Sequence, residues 1–524
     1  MRVRIGAVSR RRFLAGTAAA GMAASSPRGT RAQAAGTDTL RVRSYGDLQV
    51  LDPAFLVSAP ETDIMECLYH KLIAYKPGER WEWENQAAAT IEAKDPTHIA
   101  FTLRNDLGWN NGFGELTAED VKFSFERIAD PALASPYADD WATLDRVDVT
   151  DARSGTIVLK QPFAPLWSTT LPATSGMILC KKAVESLPEK TFTSEAPAAS
   201  GPYEITSWVP KQRTLLATNP AYRGPKPAFS RIEVVPIEDE LTAENGFMAG
   251  DLDYTTVALS SLPGLRAATP AGARLVERPS LKYVWVGINQ GNPQFADVRV
   301  RRAVQLVIDV EAILEAAYFG VASPATGIVP PGLVGHRDAN RYGGTRDVAQ
   351  ARALLAEAGF AEGFSCRIDL QNKQTYQSIA QVVQANLAEI GILAEINVHD
   401  SGVWWSMGDE SKGEQWKDLQ IMVNRFSSNP DPGWYTMWFT TEQVGVWNWE
   451  RFSNKEFDDL HARALVELDP ARRDAMYRTM QDLMEESGDY TFITHELTAA
   501  IHRDWVVPAL LPDGAMLWRA FGRA

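Results

Sequence analysis

The stretch that decides the fold runs from Cys366 to Val398, CRIDLQNKQTYQSIAQVVQANLAEIGILAEINV. Cys366 to Leu370 reads as a strand. Gln377 to Ile390 reads as a helix, with Ile379, Val383, Leu387 and Ile390 on one face, and Gly391 stands where a C-cap belongs. Ile392 to Val398 is a strand again. A strand, a helix and a strand with short connections imply a right-handed crossover and a parallel sheet. Upstream, Asp347 caps a helix with Ala351, Leu354, Leu355 and Ala358, which ends at Gly359. Leu281 to Asn289 is a strongly apolar strand, followed by Asp297 as cap of a helix through Ala303, Val304, Val307 and Ile308. That junction reads as the passage into a second lobe.

The earlier part of the chain carries strands at Thr39 to Arg43, Ile99 to Leu103, Tyr203 to Trp208 and Arg231 to Ile237. A helix is expected from Glu61 to Tyr75, with Ile64, Leu68 and Leu72 on one face, and Cys67 beside that stripe is read as a buried small hydrophobe. Thr117 is expected to cap a helix with Asp120 at its third position and Val121, Phe125 and Ile128 toward the core. The stretch Pro188 to Ser200, rich in Pro, Ala, Ser and Thr, reads as a loop.

With 524 residues, 45% of them hydrophobic, the chain has ample material for large cores. The first 37 residues contain seven arginines and no acid, so the remainder holds 45 basic against 66 acidic residues, a net of −21. A surface so acidic repels phosphate backbones and argues against a nucleic-acid partner. Ser9-Arg10-Arg11-Arg12-Phe13-Leu14, the weakly apolar run Ala15 to Ser26 and then Ala32-Gln33-Ala34 match a twin-arginine export signal cleaved after Ala34. The run is too short to span a bilayer, and no cysteine near the cleavage point offers a lipid anchor, so a free periplasmic protein is expected. Three cysteines, Cys67, Cys180 and Cys366, permit at most one disulfide.

Catalytic signatures are absent. No Gly-x-Ser-x-Gly, Gly-x-Gly-x-x-Gly or phosphate-loop pattern occurs, and no Cys-x-x-Cys supports zinc or redox chemistry. His495-Glu496 opens like a zinc helix, but Ala499 stands where the second histidine is needed. No cofactor is therefore expected. What stands out is aromatic: seven of 16 tryptophans fall between 404 and 449, namely Trp404, Trp405, Trp416, Trp434, Trp438, Trp447 and Trp449. Ligand clefts use such rings as flat, amphipathic walls, although four or five of the seven are read as ordinary packing. Among them lies Asn424-Arg425-Phe426-Ser427-Ser428-Asn429-Pro430-Asp431-Pro432, a strand end breaking into a polar loop, where open sheets place ligands.

Taken in order, Leu51-Asp52-Pro53, Phe101 to Arg104, Trp109-Asn110-Asn111-Gly112, Leu116 to Ser124, Gly201-Pro202-Tyr203, Val298 to Ala303 with Ile308-Asp309, Gly320, and Phe452-Ser453-Asn454 with Phe457-Asp458 resemble the family 5 extracellular solute-binding proteins of ABC importers, along nearly the whole mature chain. The resemblance implies an α/β, two-lobed periplasmic binding protein fold (type II, cluster C) with an extra small domain inserted in the first lobe. On it, residues 1–34 are the signal, 38–75 and 171–285 the first lobe, 76–170 the inserted domain, 286–495 the second lobe and 496–524 the return to the first. It implies a receptor, not an enzyme: a monomer that closes on a solute by hinge motion and presents it to a permease. An exported hydrolase or oxidoreductase, and a chaperone or sensor partner, are the competing readings.

The resemblance places ligand contacts on Asp47 and on Trp404 or Trp405, and the loop after the first strand, the strand-end loop and the tryptophan cluster add Tyr45, Leu48 and Gln49, Asn424 through Asn429 with Asp431, and Trp447. Where peptide-binding relatives hold a ligand ammonium with an aspartate, this chain has Ser428, which favours a non-peptide polar solute, a dipeptide or oligopeptide being the family default. Arg425 is open to two roles: bidentate contact with a ligand carboxylate or phosphate, or pairing with Asp431.

Overall fold

In the computed structural model the described residues are 38–56, 58–341 and 346–524, which form one compact unit. The expected export signal, residues 1–34, lies outside the described residues. Two large sheets organise the unit. The first has seven strands, ordered edge to edge as Tyr203–Val209, Arg213–Thr218, Arg231–Pro236, Thr39–Ser44, Tyr254–Thr256, Leu497–Arg503 and Ala273–Pro279. The second has five, ordered Ile392–His399, Phe364–Gln371, Ile421–Ser427, Lys282–Ile288 and Tyr490–Thr494.

The expected crossover is present: Phe364–Gln371 and Ile392–His399 pair in parallel, joined by the helix Gln374–Ala388. Helices cover both faces of the five-stranded sheet. On one side Val304, Ile313, Leu355, Ile379 and Val383 pack against Val286, Ile368 and Val423. On the other, Phe457, Leu460, Tyr477 and Met480 pack against Tyr283 and Trp285. A separate antiparallel sheet, Ala88–Asp95, His98–Leu103, Ser154–Leu159 and Leu144–Val149, has its own core around Phe101, Phe125 and Trp141.

The chain crosses between the two large sheets twice, at 279–282 and again at 494–497. The crossings are tied together, Ser280 Oγ donating to the His495 carbonyl at 2.9 Å. Glu496 takes a left-handed backbone with φ of 47°, uncommon for a residue with a side chain. The motif His495-Glu496 thus lies at a strand-to-strand crossing and not on a helix.

The helix expected to reach Tyr75 ends at Leu68, its observed span being Ala59–Leu68. Its last carbonyl is taken: Leu68 O accepts from Ser200 N at 3.0 Å and Gly201 N at 2.7 Å. Ile73–Tyr75 is a short strand instead. The three cysteines are free and buried, so no disulfide forms.

Candidate functional site

At the end of the five-stranded sheet, Ile421–Ser427 runs antiparallel to Lys282–Ile288, placing Tyr283 opposite Phe426 and Lys282 opposite Ser427. The strand stops where Pro430 and Pro432 remove backbone donors, and its last residues open into a slot. Trp405, Arg425, Phe426, Ser427, Trp438 and Trp447 line this slot, whose volume is about 320 Å³. Phe426 and Trp447 meet at 6.3 Å and nearly at right angles. Trp405 lies 6.2 Å from both, and Trp438 packs 6.3 Å from Phe426 and 5.8 Å from Trp447. These four rings form a trough suited to a flat or apolar group.

The adjacent tryptophans divide their roles. Trp404 is buried with Met407, Leu419, Met422 and Trp449, while Trp405, 39% exposed, faces the slot. Trp416 lies beneath the Arg451 guanidinium at 4.2 Å, and Trp434 packs on Trp438. Four of the seven clustered tryptophans are therefore packing and three line the slot.

A second cavity of about 710 Å³ lies alongside, between the two large sheets. Arg43, Tyr45, Asp239 and Glu240 line it from the seven-stranded side, Tyr318 and Thr375 from the other, with Lys282 and Glu496 at the crossings. Arg425 links slot and cavity. Its Nη2 stands 3.5 Å from Glu496 Oε2, Lys282 Nζ stands 4.0 Å from the same oxygen, and the Tyr318 hydroxyl lies 3.5 Å from Glu496 Oε1. Enclosure by the cleft walls, with Arg425 pushing the same way and Glu496 pulling back, holds the Lys282 ammonium below its ordinary pKa. Enclosure and Arg425 lower Lys373 likewise.

Several residues expected to touch ligand are engaged elsewhere. Leu48 is buried in the first-lobe core. The Asp47 carboxylate accepts from Leu48 N, Trp208 Nε1 and Lys211 N at 2.9, 3.1 and 2.6 Å. Asn424 is buried beneath the slot, donating to Glu450 Oε1 at 3.2 Å. Asp431 is wholly buried, 2.7 Å from Arg473 Nη2 and 2.6 Å from Ser168 Oγ, so it does not pair with Arg425. Ser428 encloses its hydroxyl beside Tyr435, and its amide donates to Leu281 O at 3.2 Å. Asn429 is half-buried on the same loop, Tyr45 opens onto the larger cavity, and Gln49 is exposed, its amide donating to Glu61. Sequence reading passed over Lys282, Lys373 and Tyr318, which belong to no local pattern, and met Glu496 only as half of an incomplete zinc motif. Trp438 was within reach, being one of the clustered rings. Among the described residues no group of three or more His, Cys, Asp or Glu is placed to hold a metal.

The profile of the bacterial extracellular solute-binding proteins, family 5 middle, matches residues 82–447. The chain belongs to this family. It is 26% identical over 420 residues to the glutathione-binding protein GsiB of Escherichia coli strain K12, covering 78% of this chain and 80% of that one. It is 25% identical over 469 residues to the probable D,D-dipeptide-binding periplasmic protein DdpA of the same strain, covering 87% and 88%. In fold it is similar to the solved structure of HbpA2 from Haemophilus parasuis, with a TM-score of 0.80 and 22% identity, covering 93% of this chain and all of that one. The two-lobed periplasmic binding protein architecture and the role of solute receptor for an ABC importer follow from this membership. The relatives are binding proteins, in agreement with the missing catalytic motifs.

Proposed function

We propose that this family 5 receptor captures a small peptide or other polar solute in the slot and the adjoining cavity. In this reading the two lobes close over the solute by bending at 279–282 and 494–497. The observation that carries it is the junction at Arg425, where an aromatic trough on one lobe meets a polar cavity walled by both. A solute that touches both lobes binds the closed form better than the open one, and that difference is what shifts the population toward closure. The closed form is then the shape offered to the permease. The glutathione- and dipeptide-binding relatives support a peptide-sized, polar occupant. Ser427, which lines the slot, and the lack of an acid at Ser428 and Asn429 support hydrogen bonding in place of an ionic anchor for an ammonium. Export by the twin-arginine route with cleavage after Ala34, a monomeric state and the domain limits given above complete the reading.

Native and denaturing mass spectrometry of the mature protein, purified without added solute, tests it. A discrete small mass released on denaturation is the expected result, and Trp447→Ala, which removes one wall of the trough, is expected to purify empty. Retention of the same mass by Trp447→Ala would place the solute elsewhere.

A further inference from the structure

Local structure alone does not fix the trough wall at Trp405. That residue is the C-cap of Ser401–Trp404, a helix of four residues whose N-cap, Asp400, makes no side-chain cap bond. So short a helix has no stability of its own in water. Trp405 is exposed, and it meets Phe426, Trp447 and Trp449 at 6.2 to 6.4 Å between centroids, near the outer limit for aromatic pairs.

What holds the wall lies one layer behind it. Ile368 and Leu370 point into the core beneath the helix Gln374–Ala388, so the alternation of their strand sends Asp369 and Gln371 to the opposite face. The parallel register sets Gln371 level with His399, the last residue of the neighbouring strand. On that face His399 Nε2 stands 2.8 Å from Asp369 Oδ1, and Gln371 Nε2 donates to Ser401 Oγ at 2.7 Å. The His399 ring stacks on Trp404, with centroids 6.3 Å apart and planes 25° from parallel. Trp404 meets Trp449 at 5.0 Å, and Trp449 Nε1 donates to Val446 O at 3.0 Å. Asp369, His399, Trp404 and Trp405 thus form one line of contact from sheet to trough. Neither Asp369 nor His399 lines the slot or the larger cavity.

As packing alone this pair is costly. Asp369 has no exposure to solvent, and its Oδ2 is enclosed without a hydrogen-bond partner among the described residues. Arg367 Nη2 stands off at 3.7 Å from Oδ1. Burial raises the carboxyl above its ordinary pKa, against the pull of His399 and Arg367. An apolar side chain would instead join Met407, Leu419 and Met422 on the same face at no such cost. What a carboxylate adds is direction: a bond to Nε2 sets the rotation of the imidazole, and apolar contact does not.

We infer that Asp369 and His399 are positioning residues for solute capture, fixing the Trp404 ring and through it the stance of Trp405, without touching the solute. A wall held in place before the solute arrives spares the ordering that binding would otherwise require. This inference rests on the capture reading above and adds the residues that preorganise its trough.

The test uses the mature protein carrying 5-fluorotryptophan, with the Trp405 line in the fluorine NMR spectrum identified by its loss in Trp405→Phe. Asp369→Leu removes the acceptor together with the buried charge, and Asp369→Asn keeps an acceptor for Nε2. The Trp405 line is expected to shift or broaden in Asp369→Leu and to return in Asp369→Asn. The lines of Trp141 and Trp518, which lie in other cores, are expected to stay in place. An unmoved Trp405 line in Asp369→Leu would overturn the inference, as would movement of all three lines together, which marks a pair that holds up the fold and not this wall. The small-molecule fraction of a lysate from cells that produce the protein is then titrated into each variant by thermal shift. Asp369→Leu is expected to need about tenfold more of it than wild type for the same shift, with Asp369→Asn recovering the wild-type response. An Asp369→Leu variant that responds like wild type would overturn the link to capture. If the fraction fails to stabilise wild type, the capture reading falls, and the fluorine spectra still decide whether the pair places Trp405.

Discussion

Glu450 lies beneath the aromatic trough with no exposure to solvent. Its Oε1 accepts from Trp285 Nε1 at 2.8 Å and from Asn424 Nδ2 at 3.2 Å, and Oε2 is enclosed without a partner. Only a glycine fits in front of it: a Cβ on Gly287 would come within 2.0 Å of Oε1. Burial, only partly offset by the Trp285 and Asn424 hydrogen bonds, raises the carboxyl from 4.5 to about 7. Between those two values the native protein keeps a proton that the unfolded chain has released. Stability therefore falls as pH rises through the window and levels off above the folded value. A shift of this size corresponds to about 3 kcal/mol. For a chain this long the unfolding entropy is on the order of 1 kcal/mol per degree, so the effect on Tm is about 3 °C. The assay is calorimetric Tm for wild type and Glu450→Gln at about pH 5 and about pH 8. Glutamine keeps the acceptor facing Trp285 and cannot ionise, so the variant is expected to gain about 3 °C relative to wild type between the two conditions. Asp489 and Asp63, also pushed up by burial, fall out of this difference because both proteins carry them. A wild-type-minus-variant gap that does not change with pH would refute the reasoning.

Asp431→Ala leaves Arg473 buried without its anion and is expected to cost about 3–5 kcal/mol in chemical denaturation, with Arg473→Ala adding little to the double variant. Gly201→Ala places a methyl 2.4 Å from the Cys67 carbonyl oxygen and 2.8 Å from the Leu68 carbonyl carbon. Neither backbone atom can retreat without breaking the helix end, so destabilisation at the upper end of about 1–3 kcal/mol is expected, read as a lowered denaturant midpoint at unchanged slope. Burial pushes the Cys180 thiol up to about 11 and the Cys366 thiol up to about 12, and raises Cys67 further. A thiol reagent at neutral pH should therefore label none of the three in the native protein and all three in denaturant.

The parts of this molecule legible in its sequence are those whose cause is local. Gln374–Ala388 announces itself because its apolar residues recur at the helical period, and Gly391 ends it with a left-handed φ of 82°. Gly201-Pro202-Tyr203 is legible as a motif, but the reason for its glycine, contact with the end of the helix Ala59–Leu68, lies some 130 residues away. The same remote contact shortens that helix, which is why apolar spacing through Leu72 overran the true end. Neighbouring tryptophans set the limit in another way. Residues 404 and 405 are chemically identical in sequence, and only the packing of Met407 and Leu419 decides which becomes core and which becomes wall.

The charged part of the site is the least legible, and the topology explains why. Lys282, Lys373, Arg425 and Glu496 come from four segments spread over more than two hundred residues; the strand-end loop marks Arg425, but nothing local marks Lys282 or Lys373 or brings Glu496 to the cleft. Two of the four sit at the crossings between the sheets, where the chain is shaped by the need to pass from one lobe to the other. Glu496 occupies a backbone conformation that an unconstrained glutamate avoids, and that conformation delivers its carboxylate to the edge of the cleft. Asp431 shows the converse. Its Asp-Pro setting marks it as a loop acid near a ligand, yet Arg473 and Ser168, distant in sequence, enclose it completely. In both cases the long-range topology, not the residue type, decides whether an acid faces the solute or holds the protein together.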